Sequence, residues 1–555
     1  MLFCSYRGTS ADFGGKALRK KGSSQALSAG SRTRLRRLQH IRAVIAAAKQ
    51  QGPQDALNLR AGLAVIGART AGALSRRLHL GGGTSIAGVV AQCLYPDIVK
   101  HLASQVEYGS ITVTGTNGKT TTCSLIAAIL GNSGLRVWRN REGSNLMRGI
   151  ASSLAMHALP NGRLRKSGHA ISVFEVDEAV LPQITRIVHP RVAVFTNLFR
   201  DQLDRYGEVD SIATHWREAI QQLPSTTTLV LNADDPTTAH LGNDFTGKIL
   251  YYGIDDPSLD LEAQNGRHQV MDMRTCPACA SDYVYELRFY SHLGHYVCPK
   301  CGLRRPKPDV RVLHAQSESF DRLRIQVESD EHRQEVVIAL PGLYNIYNAL
   351  AAITTAEALH IGWESILTGI EQAKPVFGRG EYIQAEGRTI CLLLAKNPTG
   401  FNEVLRTLFS NATAKHVLFL LNDNIADGRD ISWIWDVDFE RVAGYTQTLV
   451  VSGTRALDLA LRLKYAGVAQ QEMTIVPSLP ARPQRLDARG RKAPQQNEHA
   501  TQRSYGLKSA LNTALRQTPP GETLFVVPTY TGLLEVHREL EQRGLTSHYW
   551  EGAPQ

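Results

Sequence analysis

The run "SITVTGTNGKTTTCSLIAAIL", residues 110–130, constrains the fold more than any other stretch of the chain. β-Branched residues come first, then a glycine-containing turn, then an apolar-periodic helix, which together read as a strand–loop–helix unit. The turn, "TGTNGKTTT" from Thr114 to Thr122, carries the Gly-Lys-Thr that ends a Walker-type phosphate loop. Gly115 and Gly118 let backbone N–H groups approach phosphate, Lys119 neutralises developing charge, and Thr120 offers a hydroxyl to Mg2+. The general G-x-x-x-x-G-K-[ST] pattern wants glycine where this chain has Val113, so the loop is a shortened variant. A Gly-Lys-Thr triplet alone is common. Placed after a β-branched strand and before an apolar helix, it favours ATP binding over an ordinary turn.

A buried strand of this kind needs partners. "AISVFEVD", "VAVFTNL", "TTLVLNADD" and "KILYYG" supply them and alternate with helical stretches. That alternation predicts an α/β fold, a mostly parallel sheet with helices on both faces. After "VFGRGEYI" a second α/β unit begins, with strands in "TICLLLA", "HVLFLLND", "TLVVSG" and "TLFVVPT". The chain of 555 residues is too long for one ordinary core. The predicted division is a basic extension over 1–57, an ATP-binding domain over 58–378 and a smaller C-terminal domain over 379–555. Within the last, the polar stretch 480–505 reads as an exposed insertion. There are no internal repeats.

The net charge of +11 resembles a nucleic-acid or membrane signal, but residues 1–50 hold eleven Lys/Arg against the single Asp12. The rest of the chain is close to neutral. A basic arm can touch anionic lipid or RNA, and it can equally be a plain extension, which is the reading preferred here. No uncharged apolar run approaches the roughly 18–20 residues of a membrane helix. The N-terminus lacks the apolar core of a signal peptide. A soluble, cytoplasmic protein is expected.

Of eight cysteines, four form Cys276-x2-Cys279-x18-Cys298-x2-Cys301, the spacing of a tetrahedral zinc ribbon. The ribbon interrupts the α/β pattern between about residues 272 and 312. Four thiolates leave no open position for water, so the expected Zn2+ is structural. His292 and His295 lie nearby and are read as hairpin packing.

Several motifs in order then resemble the Mur ligase family, which joins amino acids to peptidoglycan precursors. "TGTNGKTTT" is similar to its ATP loop, so the resemblance gives Gly115, Thr116, Asn117, Gly118, Lys119, Thr120 and Thr121 to ATP. "FEVDE" places Glu175 where the family binds Mg2+, together with Thr120. "LNADDP" matches, "TNLFRDQLDRYGE" resembles the family's Asn-x-x-x-Asp-His-Leu-Asp segment, and "GLYNIYNALAA" resembles the adenine motif, with Asn348 toward the base. "FGRGEYI" brings Arg379 to the phosphates. The departures are Gln202 in place of a metal-binding His, Tyr344 in place of the adenine-motif His, and no lysine in "DRYGEVDSIATHWREAI" to be carbamylated. A second metal of the usual kind is therefore in doubt.

A ribbon inserted before "LPGLYNIYNALAA" resembles the branch of the family that amidates lipid II. That resemblance implies a fold of a Mur ligase-type P-loop central domain with an inserted Cys4 ribbon, followed by a smaller C-terminal α/β domain. It also implies ATP-dependent conversion of the D-glutamate α-carboxylate in the stem peptide to D-isoglutamine through an acyl phosphate. Work at the inner membrane face follows, because lipid II is membrane-anchored.

Asp423, Asp427, Asp430, Asp436 and Asp438 cluster after an apolar strand, where α/β folds place sites, although a helix start would use such residues equally well. The resemblance singles out Asp430 in "DGRD", which completes the Cys–His–Asp triad of a glutaminase partner resembling GatD. No cysteine here sits in the small-residue turn a glutaminase nucleophile needs, so ammonia must come from a partner or from solution. Lys119 and Asp430 are thus the candidate catalytic residues. Lys396 and Asn397 in "AKNPTG" are candidates to line the reaction space. Two alternatives stand beside this reading. One is an amino-acid ligase of the Mur or folylpolyglutamate type. The other is a zinc-ribbon NTPase that binds nucleic acid through its arm and Lys300, Arg304, Arg305 and Lys307, and nucleic acid is judged the weaker partner.

Overall fold

The strand–loop–helix unit lies inside the larger of the two main sheets, its strand third from one edge. The computed structural model describes residues 53–77, 84–140, 144–165, 169–201, 209–261, 271–330, 332–410, 413–478 and 498–546. β1 (Ser110–Thr114) is buried along its whole length, and the helix Lys119–Asn132 starts directly behind its loop. β2 (Arg136–Arg139), β3 (Ala170–Glu175), β4 (Val192–Phe195), β5 (Thr228–Asn232) and β6 (Lys248–Ile254) join it in parallel. Val113 stands opposite Glu175 on one side and Val194 on the other. Both faces are covered, which is why these strands read as unbroken apolar runs. One face packs against the helices Lys119–Asn132, Tyr344–Ala358 and Trp363–Glu371. The other packs against Pro53–Arg77, Thr84–Leu94, Met147–His157, Leu181–Val188 and Val209–Gln221.

β7 (Val284–Tyr290) and β8 (Leu293–Val297) form a separate antiparallel hairpin carrying the cysteine quartet. β9 (Val310–Ser319) then pairs in parallel with β6, and β10 (Arg322–Ser329) and β11 (His332–Ile338) continue as an antiparallel edge. The strand order is β11-β10-β9-β6-β5-β4-β1-β3-β2.

The second sheet opens at Arg379. β12 (Arg379–Ala385) pairs antiparallel with β13 (Arg388–Leu393). β14 (Lys415–Leu420), β15 (Thr446–Gly453), β16 (Met473–Pro477) and β17 (Thr523–Pro528) complete the order β12-β13-β17-β14-β15-β16, parallel from β13 onward. Sequence reading did not single out the short or edge strands β2, β12 and β16, which carry weak apolar runs. The stretch read as an exposed insertion over 480–505 is in part helical, because a helix runs Glu498–Gln517. The rest of that stretch, Gln202 and nearly all of the extension 1–57 lie outside the described residues. No described helix is long and apolar enough to cross a membrane.

Candidate active site

The phosphate loop is held from three directions. Gly118 has φ +87° and caps the helix Lys119–Asn132, and no side chain caps it. The first N–H groups of the helix therefore point outward without a side-chain partner, the arrangement that receives phosphate. A Cβ at Gly118 would lie 2.0 Å from Asn348 Oδ1, and one at Gly115 would lie 2.0 Å from Thr196 Oγ1. Both glycines are thus demanded by contacts as well as by conformation. The backbone N–H groups of Thr116 and Asn117 donate to Asn197 O and Oδ1 at 3.0 and 2.9 Å, and Thr116 Oγ1 exchanges bonds with the Phe199 backbone.

Lys119 is 7 % exposed. Its ammonium donates to Gly115 O and to Glu178 Oε1, the latter at 2.6 Å. Burial alone would lower its pKa, but the Glu178 carboxylate outweighs that and keeps the ammonium charged. Burial in turn lifts the Glu178 carboxyl above its ordinary range, against the pull of Lys119. Sequence reading missed Glu178. The signal was present in "FEVDE", where it stands three residues after Glu175.

Glu175 ends β3 beside the loop, and Asn140 fixes its backbone through bonds of 2.9 and 2.8 Å. Thr120 and Thr121 are buried at the helix start. Thr120, at the helix start, and Glu175, at the end of β3, are buried oxygen donors of the kind that suit the hard cation Mg2+. Asn348 takes a bond from Thr122 Oγ1 at 3.3 Å and gives one to Asn345 at 2.8 Å, so it lies under the loop. Arg379 opens β12 half-buried, and its guanidinium makes no hydrogen bond or ion pair with the described residues.

The second sheet reaches the loop through the turn after β13. Asn397 is fully buried. Its amide donates to Asn117 Oδ1 at 3.0 Å and Asp201 Oδ1 at 3.3 Å, while its oxygen caps the helix Pro398–Leu408 at Gly400 N. Lys396 pairs with Asp201 at 2.6 Å. Asp201 was not singled out from sequence, because nothing local reveals that Lys396 meets it across 195 residues.

The five aspartates after β14 do not act together. Asp423 accepts from Thr454 and Arg455, Asp436 pairs with Arg200, and Asp438 pairs with Arg441. Asp427 is 4 % exposed and holds Thr531 N at 2.7 Å. Asp430 is exposed and accepts from Ser432 N at 2.8 Å, which lowers its pKa. The same loop and the helix Ala456–Tyr465 carry exposed apolar groups. Ile425 is 76 % exposed, and Trp435 packs at 5.8 Å against Tyr465, which shares a helix face with Leu457 and Leu461.

The cysteine quartet forms one cluster, with all four sulfurs within 4.8 Å of one another. Cys276–Cys301 and Cys279–Cys298 approach to 3.5 and 3.4 Å. Tetrahedral Zn2+ with bonds of about 2.3 Å wants sulfurs roughly 3.8 Å apart, so the cluster fits the ion. Two matching knuckles build it, with Ala280 N donating to Cys276 O and Gly302 N to Cys298 O. The hairpin docks on the first sheet and on the helix Pro398–Leu408 that follows β13. His295 Nε2 meets Ile254 O at 2.8 Å, and Arg406 donates to Phe289 O at 2.8 Å. Arg305 is engaged by Asp234 and Asp255 at 2.6 and 2.9 Å, so it is withdrawn from the basic group the nucleic-acid alternative required.

Comparisons with known proteins agree with this geometry. Residues 113–286 match the family model for the Mur ligase middle domain, and residues 394–533 match that for the MurT ligase C-terminal region. The MurT subunit of lipid II isoglutaminyl synthase (glutamine-hydrolyzing) from Staphylococcus aureus strain COL is 36 % identical over 387 residues, covering 70 % of this chain and 84 % of that protein. The subunit of the same name from Streptococcus pneumoniae R6 is 34 % identical, covering 75 % and 90 %. Among solved structures, a pseudomurein peptide ligase type C from Methanothermus fervidus superposes with a TM-score of 0.57 at 22 % identity, covering 81 % of each chain. MurF from Acinetobacter baumannii superposes at 0.54 with 17 % identity, covering 83 % of this chain and 80 % of that one. The two structures share the fold. The sequence relatives, at more than a third identity and over most of their own length, show that the chain belongs to the MurT family of Mur ligase-type ligases.

Proposed function

We propose that this protein amidates the D-glutamate α-carboxylate of the lipid II stem peptide, giving D-isoglutamine, with ATP as the activating substrate. The observation that carries the reading is the meeting of both sheets at the phosphate loop, where Lys119–Glu178 and Asn117–Asn397–Asp201–Lys396 converge. Residues 58–378 then form the nucleotide domain and 379–555 the domain that closes on it.

In this scheme the loop from Gly115 to Thr121 cradles the phosphates, Asn348 serves the base, and the unpaired Arg379 turns toward the phosphates. Thr120 and Glu175 would hold Mg2+, which when bound offsets phosphate charge. Lys119, kept charged by Glu178, stabilises the transferring group. A stem-peptide carboxylate oxygen attacks the γ-phosphorus and ADP leaves, giving an acyl phosphate. Ammonia then attacks the carbonyl carbon, phosphate leaves, and one proton is released as the amide forms. Lys396 and Asn397 border the space where this occurs.

A glutaminase resembling GatD supplies the ammonia, as the relatives' name, glutamine-hydrolyzing, supports. Asp430 is exposed, and the apolar Ile425 and Trp435 of the same loop are exposed too, a combination suited to completing a partner's Cys–His pair. The work takes place at the cytoplasmic face of the membrane. Zn2+ in the ribbon is structural, and no step passes through it.

The test is mass spectrometry of lipid II after incubation with the protein, Mg-ATP and excess ammonium, and again with the glutaminase and glutamine. ATP-dependent replacement of one carboxyl by an amide is the expected result. An unchanged stem peptide in both incubations would overturn the assignment.

A further inference from the structure

Two consecutive helices carry their large apolar groups outward. The helix Pro53–Arg77 buries Ala61, Ala64, Val65 and Ala68, all at 0 % exposure, and leaves Leu63, Ile66 and Leu74 at 39, 47 and 55 %. Its neighbour Thr84–Leu94 buries Ala87 and Ala91 and leaves Ile86, Val89 and Leu94 at 42, 45 and 51 %. The two are in contact, since a Cβ at Gly67 would come within 2.6 Å of Leu94 Cδ1. Arg69 ties the first helix to Met156 O at 2.7 Å. The result is one apolar surface, and an exposed surface of this kind marks a contact site.

The charge along the two helices and their flanks is mainly positive. Between residues 53 and 100 stand Arg60, Arg69, Arg76, Arg77 and Lys100 against Asp55 and Asp97. We propose that this helical face docks on an anionic phospholipid bilayer, resting on the reading that the substrate is lipid-linked. Apolar groups enter the acyl boundary while the exposed Arg60 and Arg77 meet lipid phosphates. The same charge disfavours the other occupants. A second copy docked face to face would set these cations against themselves. Residues 1–50 of the chain, with eleven Lys/Arg and one Asp, would meet cations of their own sign.

The experiment is co-flotation of the full chain with phosphatidylglycerol–phosphatidylcholine vesicles and with pure phosphatidylcholine vesicles. Binding to the anionic vesicles is expected to be about tenfold stronger, and Ile66→Ser/Leu74→Ser/Val89→Ser should reduce it by about tenfold. Arg60→Glu/Arg77→Glu, which alters no buried group, should weaken it severalfold on anionic vesicles and leave melting unchanged. Unaltered flotation of both variants would overturn the proposal, as would light scattering that shows a dimer dissolved by the triple substitution. Amidation of a water-soluble, short-chain lipid II analogue separates the two readings. Its failure in the unmodified protein counts against the proposed function and leaves the vesicle result standing.

Discussion

The loops after β1 and after β14 both leave buried parallel strands, yet they hold charge in opposite ways. After β1, Lys119 and Glu178 are 7 and 5 % exposed, and each satisfies the other. After β14, Asp427 is buried to secure the loop, while Asp430 is exposed, as are Ile425 and Trp435 in the same loop. The first loop completes its charge pairing within the chain. The second leaves a carboxylate exposed, as the proposed role toward a glutaminase requires. Burial distinguishes them, because a buried charge must be paired inside the fold, whereas an exposed one is free to serve a partner.

The largest test of that contrast is Asp430→Asn. It should lower glutamine-dependent amidation by ~10^4-fold, as loss of a triad aspartate does, and leave ammonium-dependent amidation unchanged. Equal loss of both activities would place Asp430 in the ligase site. Lys119→Met should instead lower both activities together, by ~10^3-fold, with lipid II amidation as the readout in each case. If ammonium-dependent turnover survived, the loop after β1 would not be where phosphoryl transfer occurs.

Cys298→Ser probes the ribbon that joins the first sheet to the helix Pro398–Leu408. Zinc content and melting temperature should fall first, by about 3 kcal/mol of stability, and turnover should follow stability. Full zinc and stability with lost turnover would show the ribbon to be more than a clip. Asn397→Ala removes a helix cap and the amide that meets Asn117, so chemical denaturation should show a loss of about 1–2 kcal/mol together with a higher KM for ATP.

The smallest effect is a pH dependence at His157, stacked 4.9 Å from Trp138. Burial lowers its pKa from 6.5 to about 4. The unfolded chain therefore binds the proton first, and the histidine's contribution is intact above pH 6.5 and lost as pH falls toward 4. His157→Gln should flatten the stability curve in that window by about 1 kcal/mol after allowance for partial exposure.

Much of this was legible along the chain. β1, its loop and the helix behind it are contiguous, and so are the two Cys-x-x-Cys knuckles, so local spacing alone announced them. Parallel strands buried on both faces betray themselves as apolar runs. The edge strands β2, β12 and β16 do not, because half-exposed edges need no such run. Five aspartates within sixteen residues looked like one cluster, and the structure divides them among separate partners: Thr454 and Arg455, Thr531, Arg200, Arg441, and solvent for Asp430.

By itself the sequence determined the α/β class, the nucleotide loop, the cysteine quartet and the resemblance that singles out Asp430. Only the tertiary structure decided that Glu178 answers Lys119, that Asn397 and Lys396 close on Asn117 and Asp201, and which aspartate stays exposed. Those pairings join residues 59, 280 and 195 positions apart. Periodicity and spacing are properties of neighbours in the chain, whereas desolvation acts on neighbours in space.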